Sequence, residues 1–251
     1  MTRNLTERQR TILDRLSDDP RVSVVSLSEQ LGVSAVTVRS DLDRLADSGQ
    51  IIRTRGGGVA AFHPAIVARR RARVREKRRI AKAAASRIAD GDNVMISAGT
   101  TTALIAQHLF GKRDVHVVTN STLLFPAARA NPSVRITLVG GEFRASAEAV
   151  VGPLALRSLE QFHVKAAFVG SDGFSLGKGI TAHLVDVAEV VRTMAEQAER
   201  TIVVADSSKY GRAGFAHILP VTAVDTIITD RDLADGDRRE LEDHGIAVLA
   251  V

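Results

Sequence analysis

The sequence predicts an α/β chain in two unequal parts: a small amino-terminal winged helix-turn-helix and a larger carboxy-terminal α/β domain. Three observations carry this. Leu27 to Leu42 has the spacing of two short helices about a glycine, and a glycine-rich hairpin comes next at Ile51 to Val59. From residue 93 onward, short β-branched runs alternate with amphipathic stretches, the pattern of a parallel sheet covered on both faces.

A first helix is predicted from about Thr6 to Ser17, with Ile12, Leu13 and Leu16 inward, ending near Asp18-Asp19-Pro20. Leu27 and Leu31 mark the inner face of the next helix, and Gly32 supplies the tight turn. Ser34 stands where a cap belongs, its hydroxyl able to accept from orphan amides. Val38, Leu42 and Leu45 then recur at i, i+4 and i+7 as one buried face. The opposite face offers Thr37, Arg39, Ser40 and Arg44, hydroxyls and guanidinium groups suited to phosphates and base edges. Gly49 is placed to end that helix.

The hairpin reads as a wing: two apolar residues, two arginines separated by a threonine, then three glycines. Arg53 and Arg55 are spaced to share one side of a strand and to face a DNA backbone. Phe62-His-Pro64 reads as a linker, and a basic helix is expected from about Ile66 to Ala89. That helix is a DNA contact or, more simply, a solvated connector whose later half (Ile80, Ala83, Ala84, Ile88) packs on the larger domain. The domains expected are 1–60, a connecting segment 61–90, and 91–251.

Charge is distributed to match. Residues 1–80 hold 17 Lys or Arg against 9 Asp or Glu, and residues 81–251 hold 17 against 20. Positive charge gathered in one segment is the footprint of a nucleic-acid-reading part joined to something else. The chain has no cysteine, which excludes disulfides, thiolate nucleophiles and cysteine metal sites. No apolar run approaches a membrane span, and Met-Thr-Arg-Asn-Leu-Thr-Glu-Arg is too charged for a signal peptide, so a cytoplasmic protein is expected.

Strands are predicted at Asn93–Ile96, Val115–Thr119, Arg135–Val139, Ala166–Val169, Thr201–Ala205, Thr226–Thr229 and Ala247–Leu249. Helices are predicted at Thr101–Leu109, Thr122–Ala130, Val185–Arg200 and Ala234–His244. Ligands in such sheets bind beyond the carboxyl ends of strands. Those ends carry Ser97-Ala-Gly99-Thr100-Thr101, Thr119-Asn120-Ser-Thr, Gly140-Gly141-Glu-Phe-Arg144, Gly170-Ser-Asp172-Gly and Asp206-Ser-Ser-Lys209. Each is an ordinary turn by itself; together they suit a phosphorylated small molecule. No Gly-Lys-Ser/Thr closes a glycine loop, so nucleotide hydrolysis is not expected.

Over essentially its whole length the chain resembles DeoR-type bacterial transcription repressors. The resemblance rests on Ser34-Ala-Val-Thr-Val-Arg-Ser-Asp-Leu42, Arg53-Thr-Arg-Gly-Gly, Gly99-Thr-Thr, Thr119-Asn-Ser, Gly140-Gly, the Phe168–Gly173 turn and Asp206-Ser-Ser-Lys209, in order. It implies a sensor domain related in fold to ribose-5-phosphate isomerase. It also implies a homodimer or homotetramer on operator DNA, released by a phosphorylated sugar, with no cofactor, metal or catalysis. In that reading Ser97, Gly99, Thr100, Thr101, Asn120, Gly141, Arg144, Asp172, Asp206 and Lys209 form the effector site. The family's strand before Gly-Thr-Thr ends in aspartate, where Ser97 stands here. Its later helix carries glutamate and lysine, where this chain has Val187 and Val191, with His183, Asp186, Glu189 and Arg192 as nearby substitutes. Two further readings therefore stay open: an effector-independent regulator with a vestigial pocket, and a sugar-phosphate isomerase using Asp172, Asp206 or Glu142 as base.

Overall fold

The computed structural model describes residues 5–251; Met1 to Asn4, the start of the charged amino-terminal stretch, lie outside the described residues. The chain forms two compact units, Met1–Arg69 and Arg70–Val251. In the first, helices α1 (Glu7–Asp18), α2 (Val24–Leu31) and α3 (Ala35–Asp47) precede a hairpin of β1 (Ile51–Thr54) and β2 (Gly57–Ala60), then α4 (Pro64–Arg71). Each of the first three helices begins on a side-chain cap: Thr6 accepts from the Gln9 amide, Ser23 from Ser26 and Ser34 from Thr37. Thr6 and Gln9 complete a reciprocal capping box. Gly32 and Gly49 take left-handed conformations just past α2 and α3, where a side chain would strain the backbone.

The core of this unit is Ile12, Leu13, Leu16, Leu27, Val38, Leu42, Leu45 and Ile51, as the helical spacing requires. One charge lies inside it. Asp41 is 1% exposed and accepts from the Arg8 guanidinium of α1 and, at 3.1 Å, from the buried Gln9 amide. That pair of bonds fixes the rotation of α3 against α1.

The expected continuous basic helix is broken. Pro64 opens α4 at a position that needs no amide partner, and Ile66 buries in the first unit. At Arg73 the backbone turns left-handed (φ 50°), and α5 (Val74–Ala85) starts afresh. Its Ile80, Ala81, Ala84 and Ala85 bury against the second unit's sheet, as does Ile88 beyond it.

The second unit continues with β3 (Asn93–Ile96), β4 (Val115–Thr119), α6 (Phe125–Arg129) and β5 (Val134–Leu138). Then come β6 (Glu142–Arg144), β7 (Ala149–Val151), α7 (Pro153–Leu159), β8 (Ala166–Val169), β9 (Gly173–Ser175) and β10 (Gly179–Ala182). The chain ends with α8 (Val185–Glu196), β11 (Thr201–Val204), β12 (Ala216–Leu219), β13 (Thr226–Thr229), α9 (Asp235–Asp243) and β14 (Ala247–Ala250). Seven of these strands form one parallel sheet in the order β14-β13-β11-β8-β3-β4-β5. Side chains alternate between two cores: Met95, Ala167, Val203 and Ile227 on one face, Val94, Phe168, Ile202 and Ile228 on the other.

Three expectations need correction. The helix after β3 is a 3-10 segment of seven residues, Thr102–His108. The helix expected from Thr122 starts only at Phe125, where Pro126 fits the first turn. The stretch read as a polar turn around Glu142–Arg144 instead supplies β6 of a small antiparallel sheet β6-β7, and β12-β10-β9 form a second one.

Asp41→Ala leaves the Gln9 amide unsatisfied, and is expected to cost the first unit about 1–3 kcal/mol. The urea midpoint of its helical signal measures this, and Arg8→Ala, which leaves the buried Asp41 carboxylate without its cation, should lower that midpoint as well.

Candidate functional site

On α3 the buried residues Val38, Asp41, Leu42 and Leu45 leave Arg39, Ser40, Asp43 and Arg44 exposed. Ser34 and Thr37 are tied to each other: the Ser34 hydroxyl accepts the Thr37 amide at 3.1 Å and lies 2.9 Å from its hydroxyl. They set where the helix begins, and Arg39, Ser40 and Arg44 form its free surface. The wing departs from expectation. β1 ends at Thr54, so Arg55 sits in the turn and the strand-side argument holds for Arg53 alone. Arg53 is itself engaged, pairing with Asp43 of α3 at 3.0 Å and donating to the Gly57 carbonyl.

Two residues of this surface have no counterpart among the sequence expectations. Val36, on the first turn of α3, is 72% exposed, and Asp43 locks the wing to the helix through Arg53. Periodicity marks Val36 as outward but says nothing of why an apolar residue is there.

In the sheet, sequence order runs from β3 outward to β5, then returns to β8 on β3's other side. The crevice at the carboxyl ends of β3 and β8 is thus the topological switch point, where open α/β sheets take ligands. Ser97 closes its floor: fully buried, its hydroxyl accepts the Gly170 amide at 3.0 Å. Asn120 is also fully buried and spent, its carbonyl oxygen accepting the Ala98 amide at 2.8 Å and its amide donating to the Val150 carbonyl at 3.1 Å. Both side chains hold the Ser97–Gly99 loop in place. At Gly99 a Cβ would come within 2.7 Å of the Thr102 hydroxyl, which donates back to the Gly99 carbonyl. Thr100 is half-buried and Thr101 buried at the mouth of the 3-10 segment.

The remaining expected residues divide. Gly141 is needed by the chain itself, since a Cβ there would meet the Val151 carbonyl at 2.5 Å. Arg144 pairs with Asp186 and Glu142, and Asp172 accepts the His183 amide at 2.9 Å. Val191 is buried in the core and Val187 packs on it. Among the nearby substitutes, Asp186 is held by Arg144, Arg192 donates to the carbonyls of His217 and Ile218, and His183 and Glu189 are exposed. Lys209 ends the short turn after β11 and has no carboxylate partner among the described residues.

Asp206 is committed elsewhere. It is 3% exposed, caps the short turn to Lys209 by accepting the Ser208 amide, and lies 3.5 Å from the Arg73 guanidinium. The same guanidinium meets Asp230 at 2.9 Å and also pairs with Asp232. Asp230 is fully buried. Burial acts to raise its carboxyl, but bonds from the Ser207 amide and hydroxyl, the Asp232 amide and the Arg73 charge outweigh it and hold it below the usual range. Arg73 is raised above its ordinary value, first by its hydrogen bond to Asp232 and further by the surrounding carboxylates. Within an arginine-rich run nothing in the sequence singles out Arg73. Asp230, at the carboxyl end of β13, was open to the strand-end rule.

A helix-turn-helix with a wing, carried in one chain with a parallel sheet whose switch point holds a polar crevice, defines a DNA-binding regulator with a sensor domain. Residues 8–62 match the DeoR-like helix-turn-helix domain, and residues 72–231 the DeoR C terminal sensor domain. The chain is 34% identical to the HTH-type transcriptional regulator GlpR of Haloferax volcanii, over 97% of this chain and 96% of that one. It is 35% identical to the HTH-type transcriptional repressor GlcR of Bacillus subtilis, over 90% and 88%. Of solved structures, ribose 5-phosphate isomerase A from Methanocaldococcus jannaschii overlies 53% of each chain at 18% identity, with a TM-score of 0.39. The chain belongs to the DeoR family of transcriptional regulators. Among the described residues no helix is long and apolar enough to cross a membrane.

Removing Arg73 tests the carboxylate cluster. With the folded carboxyl of Asp230 depressed, its contribution is complete above about pH 4 and fades as pH falls through the lower folded value. Arg73→Ala leaves two buried carboxylates without their cation, and should cost about 3 kcal/mol at neutral pH. The variant should then gain stability on mild acidification, where the parent does not; thermal melts across pH read the difference.

Proposed function

We propose that the chain is a cytoplasmic repressor released from operator DNA by an anionic small molecule of the sugar-phosphate class. The observation that carries this is electrostatic. The buried carboxylates Asp206 and Asp230 share the Arg73 guanidinium, while Lys209, on the same short turn as Asp206, has no carboxylate partner among the described residues. An anion bound there would have the Lys209 cation and the Thr100 and Thr101 hydroxyls as partners. In this reading residues 1–60 read DNA, 61–90 connect, 91–251 sense the effector, and the chain acts as a homodimer or homotetramer. Release requires only that the effector bind the DNA-incompetent arrangement more tightly than the competent one.

The alternative of a regulator with a vestigial pocket has support of its own. Ser97, Asn120, Arg144 and Asp206 all spend their polar groups within the protein. The isomerase reading fares worse, since each candidate base is engaged or open to water. Asp206 is bound to Arg73, Asp172 to the His183 amide, and Glu142 lies exposed beside Arg144.

On DNA, Arg39 and Arg44 flank the exposed face of α3, with Ser40 between them, and Arg55 at the wing tip meets phosphate more freely than Arg53.

Titration of operator fragments against a panel of sugar phosphates decides between the readings. One compound should lower affinity, and Lys209→Ala should abolish that response while leaving binding without effector unchanged; no response to any compound favours the vestigial pocket. In the same assay Arg39→Ala is expected to cost about 1–3 kcal/mol on the preferred sequence. Arg55→Ala should instead weaken binding to all sequences, lowering the salt slope by ~0.9.

A further inference from the structure

Val36 is an exposed apolar side chain at the leading end of the helix that reads DNA. It lies on the first turn of α3, 72% exposed, one helical turn before Ser40 and three residues before Arg39. Nothing in the fold calls for it. It touches no core, and a β-branched residue on an exposed helical surface is a poorer helix former than alanine. The other exposed apolar side chains of this unit, Val25 and Ile52, lie on α2 and the wing strand.

Charge along α3 points the same way. Its outward residues run Val36, Arg39, Ser40, Asp43, Arg44 and Asp47, so both exposed carboxylates lie in the later turns. Asp43 is neutralised by Arg53 of the wing, whereas Asp47 is left near the far end. A helix of this kind enters a major groove by its amino end, where no carboxylate meets phosphate and the first turn reaches the base edges. In that groove the one apolar feature on a base edge is the C5 methyl of thymine.

We propose that Val36 packs on the C5 methyl of a thymine and makes the operator preference at that position depend on it. The proposal rests on α3 being the DNA-reading helix. It assigns to an apolar residue a specificity otherwise sought only in Arg39, Ser40 and Arg44.

The test uses the full chain and an operator fragment selected by binding from random duplex DNA. Each thymine in turn is replaced by deoxyuridine, which removes the methyl and leaves base pairing intact. The parent protein should lose affinity about fourfold at one position per half-site, the worth of one buried methyl-sized group. Val36→Ala should show no loss at that position and keep its response elsewhere. Arg39→Ala should bind more weakly yet keep the deoxyuridine effect, which separates the methyl contact from general loss of affinity. Indifference of the parent to every deoxyuridine, or an undiminished effect in Val36→Ala, overturns the assignment. Failure to select any preferred sequence overturns the reading of α3 itself, and Val36 with it. Val36 is exposed and alanine is the better helix former, so the variant should fold; circular dichroism checks that directly.

Discussion

Two carboxylates buried at neighbouring strand ends set the terms for the second unit. Asp206 and Asp230 close β11 and β13 with 3% and 0% of their surface exposed, and charge is not buried at such places without compensation. Arg73 supplies it. To bring its guanidinium there, the backbone adopts a left-handed conformation that costs roughly 1–2 kcal/mol for a residue with a side chain. The basic stretch therefore cannot run on as one helix, and α4 and α5 are separate. The break comes four residues past the boundary between the compact units, so one ion-pair cluster fixes where the second unit's first full helix starts.

The same economy governs the first unit on a smaller scale. Asp41, Arg8 and Gln9 hold α3 at one rotation, and the Ser34 cap sets its first residue. Asp43 and Arg53 then tie the wing to it. The outward face of α3 is consequently a fixed display, and a residue such as Val36 holds a set position relative to Arg39 and Ser40. Side chains that spend their polar groups inside the protein make that display possible, much as Ser97 and Asn120 hold the crevice loop.

Most of the architecture was legible from periodicity. Four of the strands, Asn93–Ile96, Val115–Thr119, Ala166–Val169 and Thr226–Thr229, have the expected limits, because parallel strands buried on both faces read as continuous apolar runs between polar turns. The Ser34 cap and the left-handed Gly32 and Gly49 were equally plain, since they depend on one local residue each. Less legible were features decided by distant partners. β6, β9, β10 and β12 are short, and pair only once the sheet exists to support them. The chemistry of Asn120 and Asp206 was visible as polarity at strand ends, but whether a polar group is spent or free depends on what folds against it. Arg73 is the extreme case, one arginine among many, distinguished only by carboxylates far along the chain.

That separation has a consequence during synthesis. Arg73 meets Asp230 across 157 residues, and Arg79 donates to the Val251 carbonyl across 172. The core of the first unit draws on nothing past Val67. A ribosome adding about 5–20 residues per second therefore releases a completed DNA-reading unit many seconds before the sensor can close. In that interval Arg73 lacks the carboxylates that will later surround it, and the nascent chain trails a basic segment behind a folded helix-turn-helix. Contacts of such long range also make the sensor the slower part to fold. The first unit is thus complete in the chain before the residues that close the second have been made.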